Sequence, residues 1–307
     1  MKIAVIGSGA MGCLYGGYLG QQHEVLMIDA DASQVEAIEK FGIRTEGMDG
    51  RLRTCDSARA FTSGSCDESV DLVLVFVKSN NTREAIAENR MLFQSDTAVM
   101  TLQNGAGNDR VIAEYVSEQK IVIGNSKHNA LNLGEGRIKH GAVGSTTIGS
   151  NSGMREEVTR VAEVMRQVGL EVVVSDDIQR VIWSKLLVNL SINTFTAITQ
   201  TPIGYMVKNE HAWDFAKRLV YEAIEVAEAD GTYFDRREAL NMVRGVCEKA
   251  GNGYSSMYQD RARGVKMEID AINGAIVEQA KQYGVPTPYN SLIVDIIHAI
   301  EGAYDLY

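Results

Sequence analysis

The stretch from Trp183 to Asn193 carries a lysine and two asparagines, Lys185, Asn189 and Asn193, at i, i+4 and i+8. On a helix these three share one stripe. Their neighbours Leu186, Leu187, Val188, Leu190 and Ile192 are apolar, so the helix is largely buried and its polar stripe needs partners. A polar ligand in a cleft would supply them. So would a lysine reaching out to water, with the asparagines bonded to other helices. The chemistry open to such a stripe is charge stabilisation and proton donation, with neutral amides to orient oxygen atoms. A second group, Ser256, Asp260 and Glu268, stands at i, i+4 and i+12, close to one face of an expected helix. Taken singly, Ser256 reads as a helix cap, Asp260 as a first-turn acid and Glu268 as a solvated charge.

A third constellation opens the chain. Gly7-Ser8-Gly9-Ala10-Met11-Gly12 has the G-x-G-x-x-G spacing. Such glycines permit a tight turn, let the backbone approach a pyrophosphate, and let helix and strand pack closely. The helix that follows offers free N–H groups and a partial positive charge to phosphate. The motif follows the strand-like run 2–6 and precedes a helix-like run 10–20, the context that distinguishes a dinucleotide site from a bare glycine turn. Asp29 ends the next strand, 20 residues after Gly9. A carboxylate there suits the ribose diol of NADH and repels the 2′-phosphate of NADPH, with Asp31 adding to the repulsion. The competing role for Asp29 is to cap the following helix, for which Ser33 is also placed.

The elements that must hold these residues alternate through the first half. Strands are expected at 2–6, 24–28, 71–77, 97–102, 120–124 and 170–174, with helices at 10–20, 82–89, 108–117 and 154–168. That order predicts an α/β Rossmann domain with a doubly wound, mostly parallel sheet. The glycine-rich run 135–149 reads as an antiparallel hairpin closing the sheet. Nothing after Asp176 resembles a strand. Helices are expected at 178–200, 209–230, 236–249, 257–283 and 287–303, the last set off by Pro286 and Pro288. The domains are therefore 1–176, a dinucleotide-binding domain, and 177–307, an all-α domain for substrate binding or dimerisation.

Composition excludes several classes. Apolar residues make up 45 % of the 307 and charged residues 23 %, the balance of a folded soluble chain, and the net charge of -10 argues against a nucleic-acid surface. Four cysteines without C-x-x-C spacing suggest reduced thiols. No secretory signal is read at the N-terminus, and no stretch approaches the roughly 18–20 apolar residues of a membrane span. The expected location is cytoplasmic. Five scattered histidines, at 23, 128, 140, 211 and 298, make a metal site unexpected.

With these residues assembled, the chain resembles the ketopantoate reductase (2-dehydropantoate 2-reductase) family. The resemblance rests on Gly7–Gly12, Val77-Lys78-Ser79, Gln103-Asn104-Gly105, His128 to Ala130, Trp183-x-Lys185-x-x-x-Asn189-x-x-x-Asn193, Ser255-Ser256-Met257-x-Gln259-Asp260 and Glu268-Ile269-Asp270-x-Ile272-Asn273-Gly274. It implies an NAD(P)H-dependent reduction of a small branched 2-keto acid, ketopantoate to pantoate on the route to coenzyme A, in a cleft between two domains. It implies Lys185 as general acid, with Glu268 near it and near the cofactor ribose. Lys78, Asn104 and Ala130 would lie along the cofactor, Asn104 also beside the substrate. Asn189, Asn193 and Ser256 would hold the substrate, and Asp260 belongs to the same motif.

Three positions depart from the family pattern. Asp29-Ala30-Asp31 stands where members carry an Arg for the NADPH phosphate. Ile203, between Pro202 and Gly204, and Gly253 stand where members place asparagines. The family thus implies NADPH while Asp29 argues for NADH. An alternative on the same scaffold is an NADH-dependent D-2-hydroxyacid dehydrogenase acting on another 2-keto acid. An alternative of another class is a dinucleotide sensor without turnover, which would have no need of Lys185. The helical half could offer a homodimer surface.

Overall fold

The computed structural model describes residues 1–153 and 155–304. Two compact units emerge. One comprises Met1–Gln103 and Asn108–Ile178, the other Asn104–Gly107 and Gln179–Tyr307. The chain thus divides two residues beyond the expected boundary, and the short segment Asn104–Gly107 goes with the second unit.

Among the described residues all strands lie in the first unit. They are β1 (Lys2–Ile6), β2 (Glu24–Asp29), β3 (Ile43–Glu46), β4 (Leu52–Cys55), β5 (Arg59–Thr62), β6 (Leu72–Val75), β7 (Ala98–Thr101), β8 (Ile121–Ser126), β9 (Asn129–Gly134), β10 (Arg137–Ala142), β11 (Thr146–Gly149) and β12 (Val172–Val174). Eight form one sheet in the order β12-β11-β8-β7-β6-β1-β2-β5. Every pairing in it is parallel except β11 with β8. The central strands are apolar throughout because both faces are covered: Ile3 to Ile6 and Leu72 to Val75 are all buried. The amphipathic helix Arg155–Gln167 buries Val158, Val161, Ala162 and Met165 on this core. Met154, expected to open that helix, lies outside the described residues.

A second sheet, β4-β3-β10-β9, was not anticipated. Its strands β3 (IRTE) and β4 (LRTC) are four residues long and rich in charge, so neither carries a strand-like apolar period. The glycine-rich run also resolves differently. The hairpin is β9 with β10 and belongs to this small sheet, whereas β11 alone returns to pair antiparallel with β8.

The second unit is helical. Its central helix, Ile178–Thr199, is flanked by Glu210–Ala229, Arg236–Ala250, Ser256–Ala262, Ala275–Tyr283 and Pro288–Gly302. Asn209 and Asp235 cap two of them through their side chains. Contrary to the expected membrane argument, Ile178–Thr199 is long and apolar enough to cross a bilayer by length and composition. It serves instead as the core of this unit, with Trp183, Leu186, Leu187 and Leu190 buried. Its hydroxyls are satisfied within the helix, Thr194 donating to the Leu190 carbonyl at 2.6 Å and Thr196 to that of Ile192 at 2.8 Å.

The single helix expected over 257–283 is broken. Gly264, at φ +63, ends the Ser256–Ala262 helix in a turn where Val265 N–H donates to the Asp260 carbonyl at 2.9 Å. An irregular stretch follows, then a π-helical turn, Asp270–Gly274, leading into Ala275–Tyr283. Glu268 therefore shares no helix face with Ser256 and Asp260. It sits just ahead of the π turn.

Candidate active site

In the first unit the crevice forms outside the carboxyl ends of β1 and β6, where successive connections run to opposite sides of the sheet. Gly7 sits at φ +99, and a Cβ on it would lie 2.6 Å from the Val77 nitrogen. A Cβ on Gly12 would lie 1.9 Å from the Gly7 carbonyl oxygen, so the helix can approach the turn this closely only without a side chain. Above Gly9 there is open space. The helix Ala10–Leu19 begins there with no side-chain cap and no acid in its first turn, leaving its N–H groups to an anion. Together these features fit a pyrophosphate.

The adjoining cavity, about 350 Å³, is lined by Gly7, Gly9, Asp29, Ala30, Ser63, Val77, Lys78 and Asn81, with Glu84 and Glu88. Asp29 is not the helix cap. Asp31 takes that role, accepting from Ser33 N at 2.9 Å. The Asp29 carboxylate accepts from Ser8 N at 2.5 Å and from Asp31 N at 3.0 Å, which fixes it at the cavity rim. Ser8 is itself buried, and Met11 packs on the core, so both support the turn from behind. Ala130 pairs with His140 in the small sheet and does not line this cavity.

Sequence reasoning missed Ser63, Asn81, Glu84 and Glu88 on this wall. A usable signal existed, since Ser63 follows β5 and Asn81 comes shortly after β6, at the strand ends where ligands bind. Sequence reasoning named Gln103 in a motif but assigned it no role; its amide donates to the Val77 carbonyl at 2.6 Å and to Thr82 Oγ1 at 2.9 Å, pinning the loop that carries Lys78. Two histidines read as scattered are in fact neighbours: His128 Nδ1 and His140 Nε2 are 3.0 Å apart, and burial holds both below the usual imidazole range. Among the described residues no three His, Cys, Asp or Glu side chains gather as metal ligands would.

In the second unit, Lys185 lies on a partly accessible stripe of the central helix with Asn189, while Asn193 is buried. Burial pushes the Lys185 ammonium down from 10.5 to about 8, and attraction to Glu268 opposes the drop. Asn104 Nδ2 donates to Glu268 Oε2 at 3.2 Å. The neighbouring Gly105, at φ +89, rests so closely on the π turn that a Cβ would lie 1.9 Å from the Ala271 carbonyl oxygen. Lysine, glutamate and asparagine, 164 residues apart at the extremes, are thus one cluster.

This cluster is braced from beneath. Buried Asn273 donates to the Leu190 carbonyl at 3.2 Å and to Asn290 Oδ1 at 3.0 Å. Buried Glu222 accepts from Tyr289 N at 2.8 Å, Asn290 N at 2.9 Å and Asn290 Nδ2 at 2.8 Å. A carboxylate here satisfies N–H groups at the start of the Pro288–Gly302 helix.

Ser255, not Ser256, caps the short helix, accepting from Tyr258 N at 3.1 Å and meeting Thr196 Oγ1 at 2.7 Å. Ser256 is exposed one residue on, and Asp260 is half-buried in the last turn. Tyr254 and Tyr258 stack with ring centres 4.4 Å apart. Ile203 N–H donates to the Gly253 carbonyl at 3.0 Å, so two of the positions that depart from the family pattern are in direct contact.

Known proteins similar to this chain point to one family. The family description "Ketopantoate reductase PanE/ApbA" matches residues 3–153, and "Ketopantoate reductase PanE/ApbA C terminal" matches residues 177–301. A 2-dehydropantoate 2-reductase of Halobacterium salinarum is 33 % identical over 97 % of this chain and 98 % of its own length. One from Lactococcus lactis is 31 % identical over 98 % of each. Among solved structures, D-mandelate dehydrogenase with NADH and anilino(oxo)acetate superposes with a TM-score of 0.93 at 30 % identity, over 99 % of this chain and 100 % of that one. A PanE/ApbA family ketopantoate reductase from Ralstonia eutropha gives 0.89 at 31 % identity, over 99 % and 100 %.

Proposed function

Because the chain belongs to the ketopantoate reductase family, a family of NAD(P)-dependent oxidoreductases, we propose that it reduces a small 2-keto acid to the 2-hydroxy acid with NADH. The observation that carries this reading is the cluster of Lys185, Glu268 and Asn104, in which Asn104 bonds Glu268 and burial brings the Lys185 ammonium down to about 8 against the opposing pull of Glu268. When bound, NADH supplies the hydride. The residues of the chain do the rest. Lys185 stands by the carbonyl oxygen, stabilises the charge that grows there and gives up its proton. A donor with a pKa of about 8 is mostly protonated at neutral pH and still releases its proton readily. Glu268 keeps the ammonium charged and aimed, and Asn104 fixes Glu268. Asn189, Asn193 and Ser256 offer neutral bonding to the substrate's carboxylate and hydroxyl oxygens, with Asp260 at the edge of that group. On the nucleotide side, Gly7, Gly9 and the N-terminus of the Ala10–Leu19 helix take the pyrophosphate, Asp29 takes a ribose diol, and Lys78 lies along the cofactor.

Ketopantoate, the family's substrate, is the first candidate. A second reading, a keto acid with an apolar or aromatic side chain, is favoured by the contact of Ile203 with Gly253 in place of two amides, and by the Tyr254–Tyr258 stack beside Ser256. Among the similar structures is a D-mandelate dehydrogenase solved with NADH and anilino(oxo)acetate.

The test is a matrix of ketopantoate, 2-ketoisovalerate and phenylglyoxylate against NADH and NADPH, run on the purified protein and on Lys185→Ala. We expect NADH consumption with at least one acid, reduced about 10²–10⁴-fold in the variant, with NADH binding retained. Consumption of neither nucleotide with any of the acids, or near-normal turnover by Lys185→Ala, would overturn the proposal. A protein that binds NADH without turnover would be the dinucleotide sensor.

A further inference from the structure

The motif around Glu268 contains a residue that the reaction does not use. Asp270 points to a histidine far along the chain: its Oδ1 lies 2.8 Å from His298 Nε2. The other imidazole nitrogen, Nδ1, lies 3.1 Å from Glu301 Oε2, and Glu301 Oε1 accepts from the Met267 backbone N–H at 2.6 Å. One face of the Pro288–Gly302 helix therefore grips the chain on both sides of Glu268, by the residue before it and by the residue two after it. The gripped segment is the irregular stretch leading into the π turn, which has no regular ladder of its own to fix its backbone.

We infer that His298 is a positioning residue for the proton donor: clamped between Asp270 and Glu301 in its charged form, it holds Glu268 where that carboxylate can act on Lys185. This rests on the reading of Lys185 given above. A neutral imidazole has one donor and one acceptor, so one nitrogen would present a lone pair to a carboxylate oxygen. Both bonds form together only with the imidazolium. Burial acts to lower the His298 value, but the bonds to Asp270 and Glu301 outweigh it and raise the value overall.

The charged groups acting on the ring are Asp270 on the π turn and Glu301 on its own helix. The Glu210–Ala229 helix, also packed here, brings Arg218 and Glu222 to Tyr289 and Asn290, more than two turns away. Arg261 and Asp260 act on Tyr304, beyond the clamp. The raised value means that the clamp is complete at low pH and is lost as pH climbs through it.

The sign of the effect on Lys185 separates positioning from a simple field. Deleting a positive charge at His298 would by itself raise the lysine's proton affinity. Letting Glu268 swing away would lower it. The experiment reads Lys185 without turnover: competitive acetylation across pH, followed peptide by peptide by mass spectrometry, in the wild type and in His298→Gln, His298→Lys and Asp270→Asn, each first checked for a cooperative melt. We expect the Lys185 inflection to fall by about half a unit or more in His298→Gln and Asp270→Asn, and to return towards wild type in His298→Lys, which keeps the cation. An unchanged or raised inflection in His298→Gln overturns the inference; Asp270→Asn also loses a negative charge, which lowers the value by field alone, so should His298→Gln not fold, His298→Asn is read in its place. A wild-type inflection near 8 in a protein that reduces no keto acid would instead defeat the functional reading and leave the clamp standing.

Discussion

Replacing Glu268 with glutamine probes the electrostatics of the proposed donor with little change of shape. Glutamine still presents an oxygen to Asn104 Nδ2, which now bonds Glu268 at 3.2 Å, but it removes the charge that opposes the burial of Lys185. Opposite unit charges about 5–8 Å apart, at an effective dielectric of about 20, attract by about 2–3 kcal/mol. Each ~1.4 kcal/mol is one pKa unit. Allowing for the partial exposure of the stripe, Lys185 should drop from about 8 by about one to two units. Reduction needs the protonated form, so the rate is lost as pH rises through the lysine's value. At pH 7 the protonated fraction is about 0.9 in the wild type and about 0.5 to 0.1 in the variant, a two- to ninefold loss of kcat/KM. Above pH 9 the deficit should widen to about ten- to a hundredfold, while at pH 5.5 the two enzymes should converge. The reverse oxidation, which needs the neutral amine, should gain at pH 7. The assay is nicotinamide absorbance at saturating NADH across pH 5–10. An alkaline inflection that stays where the wild type has it would refute the coupling of these two residues.

Two further outcomes test the other supports. Asp29→Ala should raise the ratio of kcat/KM with NADPH to that with NADH by about tenfold or more, since about 1.4 kcal/mol of like-charge repulsion is removed. A wild type that already prefers NADPH would defeat the carboxylate argument. Glu222→Gln should cost about 2–4 kcal/mol in urea unfolding, because an amide would turn a donor towards backbone N–H groups that now reach a buried carboxylate. Loss below about 0.5 kcal/mol would remove Glu222 as the brace of the Pro288–Gly302 helix.

Much of the architecture was legible because its signals are local. The run from Lys2 to Gly12 announces strand, turn and helix through apolar continuity and glycine spacing: Gly7 and Gly12 allow close backbone approaches, and Gly9 leaves open space above it. The lysine stripe was legible for the same reason, since helical period alone places Lys185, Asn189 and Asn193 together. Short polar strands carry no such period, so β3 and β4 escaped notice, and with them the true place of the β9–β10 hairpin.

What residue order decided for this protein is therefore the type of most long elements, though not the break within 257–283, together with the pyrophosphate turn and the candidate donor. Tertiary packing alone decided which distant groups share a site. Asn104 meets Glu268 across 164 residues, and His298 meets Asp270 across 28, through contacts that no periodicity encodes. The physical reason is that hydrogen bonds and charges act over a few ångströms of space, whereas sequence pattern reports only the few residues of one turn or one pleat.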